Sequence, residues 1–219
     1  MEENVYLFVP NLIGYVRVVL ALASFYFMPS NHVLAATLYL LSGFLDALDG
    51  HAARYFNQCS RLGALLDMVT DRFTTMGLLA TLCYLYPSYM FFFQLSMVID
   101  IVSHWIHTQS SLIKGSTSHK VIDLSANPIL RHYYHNKVIL FTMCAANELF
   151  YCLLYLCHFT CGPVLPLFNV GLWTVLAVLT CPLAIVKSGI SVVQLWAACE
   201  NVVTIDVAER QQARRNKAD

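Results

Sequence analysis

The chain has 219 residues, 58% of them hydrophobic and only 12% charged, and its mean hydropathy is +0.60. A soluble domain is about a quarter charged, so half that share excludes an ordinary water-soluble fold. Thirteen Lys and Arg balance thirteen Asp and Glu, which also excludes the broad basic surface of a nucleic-acid binder and a charged, disordered tail protein.

The chain opens on Met-Glu-Glu-Asn, acidic where a cleavable signal peptide needs a basic start, so the first apolar run is expected to remain as a span. Six apolar runs approach or exceed the roughly 20 helical residues of a bilayer crossing. They cover residues 12–28, 33–48, 62–86, 89–113, 138–158 and 165–186. The second is short and ends in carboxylates, as a helix projecting into water would. Pro29, Pro87, Pro163 and Pro166 punctuate the turns, because Pro cannot continue a helix. The expected fold is all-α: a polytopic membrane bundle of six transmembrane helices over residues 1–199, followed by a polar cytosolic tail at 200–219. Buried helices of a soluble protein are the weaker alternative for so many long runs.

The connections near 29–32, 87–88 and 159–164 contain no Lys or Arg. The cations lie on the other side: Arg17, Arg54, Arg61, Arg72, Lys114, Lys120, Arg131, Lys137, Lys187 and the cations of the tail. By the positive-inside rule both termini and the 50–61 and 114–137 connections are expected in the cytosol. The eight cysteines are scattered, mostly inside the apolar runs, where they act as small apolar residues. Cys157, His158 and Cys161 have the makings of a metal site or disulfide, but no second ligand pair accompanies them.

Four carboxylates fall within residues 46–71, although an acid at membrane depth costs about 2.5–3.5 kcal/mol. Asp46 and Asp49 are three apart, Asp67 and Asp71 four apart, so each pair shares a helix face. A turn over 50–61 lets the two helices run antiparallel with the acids facing one another. Four such groups stay ionised together only beside cations. An all-oxygen donor set suits Mg²⁺ or Mn²⁺, and two such ions about 3.5–4 Å apart form a clamp for a pyrophosphate. The alternative is a set of structural salt bridges to Arg54, Arg61 and Arg72. Gly50, Ala53 and Gly63 leave room for a ligand to approach the backbone. Arg54 offers a fork for phosphate oxygens, and Ser60 and Arg61 add a hydroxyl and a second guanidinium.

The pattern Asp46-x2-Asp49-Gly50-x2-Ala53-Arg54-x8-Gly63-x3-Asp67-x3-Asp71 resembles the complete signature of the CDP-alcohol phosphotransferase family. The family's early element is matched by Pro10-Asn11-Leu12-Ile13 followed by Arg17, with Gly14 where Thr is usual. Similarity to eukaryotic, inositol-using members extends over nearly the whole chain, through FVPNLIGYVR, SFYFMP, LSGFLDALDGHAAR, LLDMVTDR, SHWIH, SHKVIDLSANPILR and NELFYCLLYL. The resemblance implies an integral transferase of the endoplasmic reticulum membrane, working at its cytosolic face as a homodimer of six-helix subunits. It would make phosphatidylinositol and CMP from CDP-diacylglycerol and myo-inositol. It implies one metal on Asp46, Asp49 and Asp67, a second on Asp46, Asp67 and Asp71, and Asp71 as general base. Gly50, Arg54 and Ser60, with Arg61 as an addition, would contact CDP-diacylglycerol.

For the polyol, His119, Lys120, Asp123, Asn127 and Arg131 offer a donor and acceptor mixture, although the same segment reads equally as a solvated connection. Asp100, His104 and His107 form a second polar stripe, either a substrate contact or an intramembrane pair that fixes helix packing. Glu148 is expected to hydrogen-bond within the bundle, and the aromatic run at 89–93 to lie at the lumenal interface. Two alternatives remain. One is the same chemistry with serine or glycerol phosphate as acceptor. The other is a cation or proton transporter, which would place its acids near the midplane, often in related halves.

Overall fold

Helices dominate the described residues of the computed structural model, which are 4–116, 128–166 and 169–217. They are α1 (Val9–Phe27), α2 (His32–Tyr55), α3 (Arg61–Leu85), α4 (Met90–Ser116), α5 (Pro128–His135), α6 (Lys137–Phe159) and α7 (Leu172–Arg215). Local chemistry sets the starts. Pro10 sits in the first turn of α1, where its missing N–H costs nothing, and Val9 N donates to Gln58 Oε1 at 2.9 Å. The Asn31 side chain caps α2 by accepting from Leu34 N, and Ser60 Oγ caps α3 by accepting from Gly63 N at 2.9 Å. Both caps satisfy N–H groups that have no partner inside the helix.

Among the described residues, α1, α2, Pro87–Ile113, α6 and α7 are long and apolar enough to cross a membrane. The other expected span, α3, has the length, at 25 residues, but carries Arg61, Asp67, Asp71 and Arg72 in its first half. Three boundaries differ from the sequence expectation. Helix α2 runs on to Tyr55, so Gly50, Ala53 and Arg54 ride on its last turns instead of in a loop. Helix α5 lies in the connection expected at 114–137. Residues Val164–Leu165 and Val170–Gly171 form a small antiparallel hairpin, so the last long helix begins at Leu172 and not at 165. It then passes Pro182 and continues for 44 residues, through both the expected span end at 186 and the expected tail start at 200. The buried stripe Ala184, Lys187, Ser191, Gln194, Ala198, Asn201 and Ile205 explains the continuation. Its spacing alternates three and four, the period of a packed helix face, but all its residues except Ile205 are small or polar and escape a hydropathy reading.

Two compact units make up the chain. The first comprises Met1–Gln94 and Glu148–Leu179. In it α1 packs along α2 and against α3, with small buried residues Ala21 and Ser24 on α1 and Ala35, Ala36 and Ser42 on α2. Such residues let helix backbones approach closely in a membrane. Ser24 Oγ donates to the Ala35 carbonyl at 2.8 Å, and Ser42 Oγ to the Arg17 carbonyl at 3.1 Å. Tyr155 OH donates to the Met28 carbonyl and Tyr86 OH to the Leu154 carbonyl, fastening α6 to the same unit. Glu148 does hydrogen-bond within the bundle: Tyr39 OH donates to its Oε2, and Thr75 Oγ1 lies 2.7 Å from its Oε1.

The second unit comprises Leu95–Asn147 and Thr180–Asp219. Its centre is a buried ion pair in which Lys187 Nζ lies 2.6 Å from Asp100 Oδ1. His104 Nδ1 lies 2.7 Å from the Asp100 carbonyl oxygen. Lys187, counted by charge as a marker of the cytosolic edge, is thus a packed residue of this unit, because its ammonium has a carboxylate to meet. The His107 ring stacks on Tyr134, centroids 6.2 Å apart. All eight cysteines are free thiols, Cys157 and Cys161 among them.

Candidate active site

Helical spacing does the first part of the assembly. Asp46 and Asp49 share one face of α2, Asp67 and Asp71 one face of α3, and the turn at residues 56–60 folds the two helices back on each other. Asp46, Asp49 and Asp67 each place one carboxylate oxygen so that the three lie within 4.8 Å of one another. At that separation two carboxylates repel by about 3–4 kcal/mol in a medium of effective dielectric about 20. Convergence therefore needs a cation.

Arg17 of α1 supplies one. Its Nη1 lies 2.7 Å from Asp49 Oδ2 and 2.9 Å from Asp67 Oδ1. Its Nη2 lies 2.8 Å from Asp46 Oδ1 and 2.5 Å from Asp71 Oδ1. One planar fork thus touches all four acids, a geometry open to a guanidinium and closed to a single ammonium. Arg17 is 2% exposed, whereas the side chains of Asp46 and Asp67 are 40% and 47% exposed. The guanidinium forms the floor of the cluster, and the acids open above it. Arg72 adds a second contact, 3.3 Å from Asp71 Oδ2. Among the described residues, then, the salt bridges of the four acids run to Arg17 and Arg72, and not to Arg54 and Arg61 as the structural alternative had it.

A cavity of about 190 Å³ adjoins the cluster. Asp49 and Asp67 line it together with Gly50, Ala53, Arg54, Ser60 and Gly63, so the signature residues from both helices meet around one space. Asn11, Gly14, Gln58 and Leu66 complete part of the wall. The glycines let the wall pack closely: a Cβ on Gly63 would stand 2.7 Å from Asn11 Oδ1, and one on Gly14 would stand 2.6 Å from Leu66 Cδ2. Gly14 in place of the family's usual Thr is matched by Leu66 packed against it. Ser60 Oγ already accepts from Gly63 N, which leaves its own proton to donate into the cavity.

The donor set fits divalent cations. Arg17 takes one oxygen from each acid, and among the described residues four carboxylates meet two guanidinium groups. Asp46, Asp49 and Asp67 each have a second oxygen beyond the one on Arg17, whereas that of Asp71 faces Arg72, and hard oxygen donors are what Mg²⁺ and Mn²⁺ prefer.

The model of the CDP-alcohol phosphatidyltransferase family matches residues 7–205. The chain belongs to this family. Curated relatives named CDP-diacylglycerol–inositol 3-phosphatidyltransferase match it almost end to end. The Homo sapiens protein is 55% identical over 97% of this chain and 99% of its own length. That of Drosophila melanogaster is 51% identical over 100% and 94%, and that of Saccharomyces cerevisiae 44% identical over 98% and 94%.

Of the other residues expected to contact ligands in this phosphatidyltransferase, Arg61 begins α3 and is exposed but does not line the cavity. His119, Lys120, Asp123 and Asn127 lie outside the described residues. Arg131 is exposed on α5, and Asp100 is ion-paired with Lys187. Arg17 is the site residue that sequence reasoning missed. In the sequence it stands as a marker of sidedness and as the last residue of the early element, and nothing local ties it to acids that begin 29 residues further on.

Proposed function

We propose that this chain transfers the phosphatidyl group of CDP-diacylglycerol to myo-inositol, giving phosphatidylinositol and CMP. The observation that carries it is the cavity in which Asp49 and Asp67 of the acid cluster meet Gly50, Arg54 and Ser60. A pyrophosphate in that cavity would have acids on one side and a guanidinium and a hydroxyl on the other. The names of the relatives point to inositol as acceptor over serine or glycerol phosphate, and acceptor competition separates the three. A transporter leaves Gly50, Ala53 and Arg54 without a task.

When bound, two Mg²⁺ or Mn²⁺ ions, one on Asp46, Asp49 and Asp67 and one on Asp46, Asp67 and Asp71, would neutralise the charge of the pyrophosphate. Arg54 forks onto phosphate oxygens, and Ser60 donates its free proton to another. Gly50 and Gly63 admit the phosphates to the backbone. Asp71 accepts the proton of the attacking inositol hydroxyl. That oxygen bonds to the lipid-side phosphorus as the bond from this phosphorus to the bridging oxygen breaks, and CMP leaves with the bridging oxygen. Positioning and electrostatic stabilisation supply most of the acceleration, as in phosphoryl transfer generally.

The proposal includes a six-span homodimer with both termini and the site on the cytosolic face of the endoplasmic reticulum, where a lipid donor meets a water-soluble polyol. For the acceptor it names Lys120, Asp123, Asn127 and Arg131. Unchanged inositol KM in both Lys120→Ala and Arg131→Ala would place the polyol elsewhere. The deciding experiment gives purified protein CDP-diacylglycerol, labelled myo-inositol and Mg²⁺ or Mn²⁺. Labelled lipid and equimolar CMP are expected, and no product with either metal overturns the function.

A further inference from the structure

We propose that Arg17 is a positioning residue for the metal centre, acting through the four acids and not on the substrate; this rests on the function proposed above. The geometry is specific. Arg17 is the buried cation common to Asp46, Asp49, Asp67 and Asp71, and its two terminal nitrogens divide the acids so that each joins one from α2 to one from α3. The guanidinium thus ties α2 to α3 twice at the level of the site. It holds a single oxygen of each carboxylate, which restricts where the second oxygen can lie. Partners of metal ligands act in this way in general, and their loss typically weakens metal binding by about 10–100-fold. The backbone of Arg17 is held as well, its carbonyl accepting from Ser42 Oγ, so the fork is aimed from a fixed point.

A Lys at this position would keep the charge and lose the fork. Its single ammonium cannot hold four carboxylates in four separate directions. The prediction is therefore about geometry more than charge, and it is read from metal binding without turnover. Mn²⁺ binding to purified full-length protein, followed by electron paramagnetic resonance or calorimetry, is compared for the unsubstituted chain, Arg17→Lys, Arg17→Gln and Ser24→Ala. Ser24 lies on the same helix and donates to the Ala35 carbonyl away from the acids, so its substitution loosens α1 on α2 without touching the site.

The expected result is a 10-fold or greater rise in the Mn²⁺ dissociation constant for Arg17→Lys and Arg17→Gln, with Ser24→Ala unchanged. If Arg17→Gln does not fold, Arg17→Lys against Ser24→Ala still decides. Normal or tighter Mn²⁺ binding by Arg17→Lys overturns the assignment, as does an equal loss in Ser24→Ala, which would mean that any loosening of α1 has the same effect. Failure of the unsubstituted protein to bind Mn²⁺ overturns the metal centre itself, and the role of Arg17 with it.

Discussion

Each unit of this chain holds a cluster of charged side chains, and the two clusters are built on opposite principles. In the second unit Asp100 faces Lys187 at 2.6 Å, both nearly excluded from solvent, and His104 Nδ1 lies 3.7 Å from the same Asp100 oxygen. In the first, four acids share Arg17, with Arg72 at the edge. An acid matched by an ammonium in this way has its counter-charge within the fold. Its attraction offsets desolvation only when the geometry is good, and its role is to fix packing. Four acids on one buried guanidinium are incomplete, and two of them face outward. An excess of negative charge at a cavity wall is relieved either by protonation or by a cation that binds there. That imbalance is what the proposed metal centre would use.

The comparison breaks most sharply at Asp71. As general base it should be worth about 10²–10⁴-fold in turnover, so Asp71→Asn is expected to abolish measurable transfer. Metal-dependent binding of CDP-diacylglycerol should survive at reduced affinity. Near-normal turnover in that variant would sink the assignment of the base. Chelation belongs beside it: EDTA should silence the unsubstituted enzyme and Mg²⁺ or Mn²⁺ should restore it, since the acids of the first unit need cations that those of the second do not.

The balanced pair should fail differently. Removing one partner strands a buried charge, at a cost of about 3–5 kcal/mol. Asp100→Asn and Lys187→Met are each expected to lower the melting temperature in detergent, and the double variant Asp100→Leu/Lys187→Met to recover most of the loss. Protein that melts normally should turn over with an unchanged inositol KM. A raised KM in Asp100→Asn, at intact stability, would instead make this pair part of the acceptor site.

Arg54→Lys comes next. The fork on a phosphate is replaced by a point charge, and KM for CDP-diacylglycerol should rise about tenfold, or about 1.4 kcal/mol, with little change for inositol. Equal effects on both substrates would show that Arg54 supports the cavity wall instead of binding the nucleotide lipid.

How much of this was legible in the sequence follows the same division. The acid cluster was, because spacings of three and four on two adjoining helices leave few arrangements. The long helices were, because apolar runs of that length report burial in lipid. Three features were not. Helix α5 is short, and helix α7 continues on a seam of Ser, Gln, Ala and Asn that hydropathy scores as ordinary polar sequence. The partner of the acids was hidden for a different reason. Arg17 stands 29 residues before Asp46 in the chain, and no local periodicity connects them. Only the packing of α1 along α2, set by Ala21, Ser24, Ala35 and Ser42, brings the guanidinium to that depth. Ser60 was legible in place but not in full: it caps α3 as well as lining the cavity, and the two tasks use different parts of one hydroxyl.

The smallest effect asks whether the acids or the helix backbone hold Arg17 in place. Ser42 Oγ donates to the Arg17 carbonyl at 3.1 Å, within the buried face of α2. Side-chain hydrogen bonds between membrane helices average about 0.6 kcal/mol, so Ser42→Ala should cost about that in stability. The four carboxylates remain in contact with the guanidinium in this variant, and their pull is far larger than the lost bond. Turnover and Mn²⁺ affinity should therefore stay at their unsubstituted values while the melting temperature falls slightly. A loss of more than about threefold in kcat/KM, which is the whole 0.6 kcal/mol appearing in the barrier, would mean that the register of α1 on α2 tunes the acids directly. Arg17 would then transmit the position of its helix instead of imposing its own geometry on the site.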